Sequence, residues 1–188
     1  MDRDGTISVE KGYIKDADDL ELIDKAGEAL FELMQNGFKL IVITNQAGVA
    51  RGYFTEKEVA EVNNRLEELL NEKNVRLDSI QYCPHYPDPE KAVAKEYLAD
   101  CECRKPGTAN VLRAAQEYSI DLSRSFFIGD KMSDIGCGKN AGMRTVLVRT
   151  GYGRDEEEKL KELAESEQPD NYADDLYNAV KWIMENLE

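Results

Sequence analysis

The sequence is poor in histidine, cysteine and proline. Its 188 residues hold one histidine, His85, one tryptophan, four cysteines and five prolines. Four cysteines are too few for the dense disulfide framework of small secreted domains, and a chain of this length can bury a core without one. No apolar run approaches the roughly 20 residues that cross a bilayer, so no membrane span is expected. The opening Met1-Asp2-Arg3-Asp4 lacks the apolar stretch of a secretory leader. That predicts a reducing cytoplasm, where thiols serve metals or catalysis more often than disulfides. Basic residues are outnumbered too: 24 Lys and Arg stand against 38 Asp and Glu, a net charge of −14. Phosphate backbones need a basic face, so nucleic-acid binding is not expected. What is present, 41 % hydrophobic and 33 % charged residues, is the composition of a folded globular chain.

Helix and strand signals alternate. Asp24 is placed to cap a helix carrying Ala26, Ala29, Leu30, Leu33 and Met34 on one face, with Gly37 past its end. Residues 38–43 are a continuous apolar-rich run, the mark of a strand covered on both sides. Thr55 and Glu58 form a capping box that opens a helix to about Lys73. Strands are predicted at 80–82, 126–128 and 145–148, and helices at 108–118 and 133–141. Strands separated by helices imply crossover units and an open, Rossmann-like parallel sheet with helices on both faces. Residues 84–107 break the pattern: they hold four prolines and no period, and so long an irregular loop needs a reason to be ordered. Cys137, among Gly136, Gly138 and Ala141, reads as a small buried residue. Tyr177, Val180, Ile183, Met184 and Leu187 have helical spacing, which suits packing on the parent core.

Four polar segments follow predicted strands, and in such a sheet the strand ends share one crevice. Asp2 and Asp4 can share a divalent cation while one attacks phosphorus and the other shuttles a proton. The hydroxyl and amides of Thr44, Asn45 and Gln46 can bind phosphate oxygens. Lys105 can neutralise charge on a transferring group. Asp130 and Asp134 add two carboxylates, and an all-oxygen set beside phosphate suggests Mg²⁺. Each segment also has an ordinary reading: a solvated turn at Asp2-Arg3-Asp4, a surface lysine at 105, a helix cap at Asp130. Their joint order makes that combination improbable. Separately, Cys83 and His85 pair with Cys101 and Cys103 as C-x-H and C-x-C. Three thiolates and one imidazole close a tetrahedral structural Zn²⁺ shell, which would staple the irregular loop.

The four segments resemble the motifs of the haloacid dehalogenase superfamily of aspartate-nucleophile phosphatases. The resemblance implies Asp2 as nucleophile, Asp4 as acid and base, and Thr44 and Lys105 on the phosphoryl oxygens. Mg²⁺ would lie on Asp2, the Asp4 carbonyl and Asp130, with Asp134 supporting. The zinc loop at 83–105, the run Thr44-Asn45-Gln46-Ala47-Gly48-Val49-Ala50-Arg51-Gly52-Tyr53-Phe54, Gly12-Tyr13 and Cys103-Arg104-Lys105-Pro106 are similar to the zinc-loop heptose bisphosphate phosphatases, with Ala47 where that family has Ser. This narrower resemblance implies no large cap domain and a sugar bisphosphate, heptose 1,7-bisphosphate, losing its 7-phosphate. It puts Asn45, Gln46 and Ala47 at the substrate and Arg104 on the distal phosphate. Lys131 and Glu10-Lys11-Gly12-Tyr13 would meet the sugar, and Arg51 would either bind substrate or brace its own loop. A histidinol-phosphate phosphatase and a catalytically impaired zinc-containing binding protein are the alternatives. A monomer is the default.

Two expectations concern the ends. Residues 1–152 read as the phosphatase domain and 153–188 as an acidic helical extension packed on it. Residues 154–188 hold 12 acids and 4 bases. At the other end, only Met1 precedes Asp2, so a central strand of roughly 5 to 10 apolar residues is expected to be missing upstream.

Overall fold

The computed structural model describes residues 1–187. In chain order its α-helices and strands are α1 Ala26–Gln35, β1 Ile41–Asn45, α2 Glu56–Asn71, β2 Ser79–Cys83, α3 Ala109–Tyr118, β3 Phe126–Gly129, α4 Met132–Asn140, β4 Arg144–Val148, α5 Gly153–Lys161, β5 Asn171–Ala173 and α6 Leu176–Glu185. All strand pairs are parallel. β1 pairs with β2, Ile41 opposite Ser79. β3 pairs with β4, and β4 with β5, in a second sheet.

Met1 and Asp2 join the two sheets. The Met1 amine donates to Ile41 O at 3.0 Å. The Met1 carbonyl accepts from Ile43 N at 2.8 Å, and Asp2 N donates to Ile128 O at 2.9 Å. These two residues therefore bridge β1 and β3 through their backbone. Beyond Met1 the gap between the sheets is a cavity of about 620 Å³, walled by Leu40, Ile41, Phe126, Phe127 and Ile128.

Side-chain alternation assigns the two faces. Val42, Ile128, Val146 and Val148 pack with Leu30 and Leu33 of α1, Leu66 and Leu70 of α2, and Val180 and Ile183 of α6. Their neighbours Ile41, Ile43 and Phe127 point the other way, onto Val111 and Ala114 of α3 and Cys137 of α4. Leu147 meets Ile135 and Leu160 on that second side. A period of two with both phases apolar is what a sheet covered on both faces requires. Each buried Leu, Ile or Val side chain contributes roughly 1.5–3 kcal/mol of transfer free energy.

Several boundaries differ from the sequence reading. The strand begins at Ile41, not Phe38, because Asp78 ties the chain before it: Asp78 N donates to Leu40 O and Asp78 Oδ2 accepts from Leu40 N at 2.9 Å. Asp24 does not cap α1. Lys25 occupies that position with φ 59° and no side-chain cap, and the turn is closed by Ala26 N on Ile23 O. The capping box of α2 forms, with Thr55 N donating to Glu58 Oε2 at 2.7 Å. β5 lies within the acidic extension and was not foreseen: Asn171, Tyr172 and Ala173 carry no apolar run. Cys137 is buried, its thiol donating to Gly107 O.

Candidate active site

The C-terminal ends of β1 and β3 and the Met1–Asp2 segment between them converge beneath one pocket of about 270 Å³. Asp2, Asp4, Thr44, Asn45, Gln46, Ala47, Lys105 and Asp134 line it, with Glu10, Gly12, Tyr13, Arg104 and Lys131 around them. Thus four segments far apart in sequence supply one cluster.

Lys105 is its hub. The buried ammonium lies 2.7 Å from Asp2 Oδ1 and 2.6 Å from Asp134 Oδ1, and donates to Ile43 O at 2.8 Å. Burial disfavours the charged forms, but Asp134 and Asp2 outweigh it for Lys105, whose pKa is raised. Burial likewise pushes Asp2 up, yet Lys105 and Lys131 hold it below its ordinary value. Asp134, also buried and beside Asp2, is raised despite Lys105. Asn45 fixes the lysine's backbone: its Nδ2 donates to Lys105 O and its Oδ1 accepts from Lys105 N.

Asp130 sits beneath the pocket, fully buried. It does not cap α4, whose entry is made by Lys131 N on Asp134 Oδ2 at 3.0 Å. Gly5 (φ 85°) and Gly151 (φ 56°) wrap its carboxylate so closely that a Cβ at either would strike Asp130 Oδ2. That oxygen accepts from Tyr152 N at 2.9 Å, whereas Oδ1 has no hydrogen-bond partner. Burial pushes the Asp130 pKa up to about 8. Oxygens of Asp2, Asp130 and Asp134 lie within 4.8 Å of one another. A buried carboxylate oxygen without a donor, in an all-oxygen cluster, fits a hard divalent cation.

Asp4 is held by donors on all sides. Oδ1 accepts from Arg3 Nε at 3.0 Å and Ser8 Oγ at 3.2 Å; Oδ2 accepts from Arg3 Nη2 at 2.8 Å and Gln46 Nε2 at 3.0 Å. Gln46 also donates to Thr44 Oγ1 at 2.9 Å, linking the first two motifs.

The pocket mouth is cationic and aromatic. Lys131 pairs with Glu10 at 3.0 Å and lies 4.6 Å over the Tyr152 ring. Arg104 lines the pocket and lies 5.1 Å over Tyr86. Two expected contacts are not among the lining residues. Arg51 spends its guanidinium on the hydroxyls of Tyr13 and Tyr86, 2.7 and 3.1 Å away, which is the bracing role. Lys11 turns outward to Asp19 O and Glu21. Sequence reasoning missed Arg3, Ser8, Asn63, Tyr86, Ser133 and Tyr152. The adjacency of Tyr86 to His85, of Arg3 to both aspartates and of Ser133 to Asp134 was the only signal.

Cys83, His85, Cys101 and Cys103 form a second cluster. Their ligand atoms are separated by 3.2 Å (Cys101–Cys103, Cys83–Cys103), 3.4 Å (His85–Cys103), 3.5 Å (Cys83–Cys101) and 3.6 Å (Cys83–His85). All four cysteines of the chain are free thiols. Corner-to-corner separations around a tetrahedral zinc are about 3.8 Å for thiolates at 2.3 Å, so this cluster can hold one metal ion between its members. Nearby, Tyr82 and Tyr97 both donate to Glu56 of α2, at 2.9 and 2.8 Å, anchoring the loop. No helix among the described residues is long and apolar enough to cross a membrane.

Comparison with known proteins agrees with this geometry. The HAD-hydrolase-like family model matches residues 102–179. The chain is 42 % identical to the D-glycero-D-manno-heptose-1,7-bisphosphate 7-phosphatase of Chlorobaculum tepidum, over 96 % of this chain and 90 % of that one. It is 41 % identical to the D-glycero-beta-D-manno-heptose-1,7-bisphosphate 7-phosphatase of Escherichia coli K12, over 80 % of this chain and 78 % of that one. The solved D,D-heptose 1,7-bisphosphate phosphatase of B. bronchiseptica, a complex with magnesium and phosphate, superposes with TM-score 0.83 at 26 % identity, covering 98 % and 96 % of the two chains. With these relatives and the four converging motifs, the chain belongs to the heptose bisphosphate phosphatase family of haloacid dehalogenase-like hydrolases.

Proposed function

We propose that this chain hydrolyses the 7-phosphate of D-glycero-D-manno-heptose 1,7-bisphosphate. The carrying observation is Asp2, a buried carboxylate at a strand end, kept ionised beside Lys105 and opening on a pocket whose rim supplies Arg104 and Lys131. Asp2 attacks phosphorus, and the bond to the C7 oxygen breaks with its electron pair passing to that oxygen. The oxygen takes a proton from Asp4. Water then loses a proton to Asp4 and attacks the aspartyl-phosphate, releasing phosphate and restoring Asp2. Thr44 and Gln46 orient phosphoryl oxygens, and Lys105 limits repulsion among the carboxylates. Asp2 and Asp130, supported by Asp134, would hold Mg²⁺, which supplies charge neutralisation at the phosphoryl group. Cys83, His85, Cys101 and Cys103 would hold Zn²⁺ as a structural ion.

The same reading makes the enzyme a cytoplasmic monomer, with residues 1–152 as the phosphatase domain and 153–188 as an extension packed on it. β5 and α6 support that extension, since they pair with β4 and pack on α1.

The test is phosphate release with Mg²⁺ from both C1 anomers of the bisphosphate and from histidinol phosphate. The expected result is a kcat/KM at least about 100-fold higher, some 2.7 kcal/mol of transition-state preference, for one bisphosphate anomer. Preference for histidinol phosphate would replace this substrate assignment.

A further inference from the structure

Arg3 is the bulkiest fully buried side chain among the described residues, with 1 % of its surface exposed. A charged group so placed needs acceptors at every face. It finds two on Asp4 and a third on Asn63 Oδ1, 2.7 Å from Nη1, in α2. The pair with Asp4 is bidentate, a planar fork on a planar carboxylate, which fixes orientation as well as distance. Asn63 is itself 8 % exposed and lies 60 positions along the chain, so a packed helix sets the fork's angle.

The four donors on Asp4 are not equivalent. Ser8, on Oδ1, is buried and does not line the pocket, whereas Gln46, on Oδ2, does. The Oδ2 edge therefore faces the substrate, and Gln46 is the donor nearest to it that a phosphate could draw away.

We propose that Arg3, held by Asn63, is the positioning residue of Asp4: its fork keeps the carboxyl turned so that Oδ2 meets the leaving oxygen, and only the Gln46 contact yields when substrate binds. A merely space-filling role does not call for a cation here, because an apolar side chain would fill the volume without needing three acceptors. The inference rests on the reading of Asp4 as proton donor.

The test separates the two through the leaving group. A sugar alkoxide needs its proton; the nitrophenolate of 4-nitrophenyl phosphate leaves without one. For Asn63→Leu, kcat/KM on the heptose bisphosphate should fall about tenfold and on 4-nitrophenyl phosphate less than about twofold, a fraction of the 10²–10⁴ that acid–base catalysis supplies. Asn63→Asp, which keeps an acceptor for Nη1, should restore most of the loss. Arg3→Lys, which keeps the charge and loses the fork, should cost about 100-fold on the sugar substrate alone. Equal losses on both substrates would make the fork structural only, and no loss would remove it from the site; either overturns the proposal. Asp4→Asn is the reference. If it too slows both substrates equally, the proton-donor reading of Asp4 fails, and this inference with it; a selective Asp4→Asn beside an unselective Asn63→Leu overturns this inference alone.

Discussion

The two clusters of this protein are built in opposite ways. The carboxylate cluster sits on strand ends whose sheet is packed from both sides, and it carries its own counter-charge in Lys105. The thiol cluster sits on two short segments at the ends of a loop that holds only one 3₁₀ turn and an isolated bridge between Tyr86 and Leu98. Its members offer no such counter-charge, and burial with the neighbouring thiols pushes the Cys83 thiol well above its ordinary range. On the proposed reading the first cluster is organised by the fold and a metal there would serve chemistry, whereas a metal in the second would serve to organise its loop.

The sharpest way to break this contrast is at the proposed nucleophile, Asp2. Asp2→Asn should lower phosphate release by at least about 10⁴-fold, the scale of losing a covalent route. Its thermal midpoint and zinc content should stay near those of the parent, and a midpoint fall of many degrees would show that the carboxylate cluster is also structural. The reverse experiment is Cys101→Ser. Zinc content should fall below half, and residues 84–100 should become the first site of limited proteolysis, since a closed zinc shell contributes folding free energy directly. An unchanged proteolytic pattern would mean that Tyr82, Tyr97 and Glu56 suffice to hold the loop.

A smaller effect tests the seam between the clusters. Tyr86 follows His85 of the thiol–imidazole cluster, and its ring lies 4.6 Å from the Arg51 guanidinium and 5.1 Å from that of Arg104. Tyr86→Ala should raise KM for the bisphosphate about tenfold through two lost cation–π contacts of roughly 0.5–1 kcal/mol each, with kcat little changed. Arg104→Ala should raise KM for the bisphosphate far more than for an aryl phosphate, and equal rises would remove Arg104 from recognition. The smallest effect is a control: Thr55→Ala, at the cap of α2, should cost about 1 kcal/mol of stability, read as a shifted denaturant midpoint, and leave turnover intact.

The sequence made the two clusters legible for different reasons. The zinc-type pairs are visible because ligand spacing is local, and the chain's one histidine falls among them. The carboxylates are visible only as motifs at predicted strand ends, which topology brings together. Strands with both phases apolar, such as 41–43, could be read directly, whereas β5 owes its place to pairing with β4 and not to its own three residues. The resemblance places Lys11 at the sugar and leaves Arg51 either binding substrate or bracing its own loop. Their directions depend on Asp19, Glu21, Tyr13 and Tyr86, which no local pattern reveals. Arg3 was hidden for a similar cause: a charged residue between two acids reads as solvated, and only the arrival of Asn63 from α2 makes burial tolerable.

The slot ahead of Met1 has a practical consequence. Because the Met1 amine donates to Ile41 O beside this cavity, any residues fused before Met1 start between Ile41 and Ile128. A polar purification tag joined there would put unsatisfied groups between β1 and β3, where each buried polar group without a partner costs on the order of 1–3 kcal/mol. The other end of the chain is kinder: Leu187, after α6, is 46 % exposed. An affinity handle or a fluorescent label belongs at the carboxyl end.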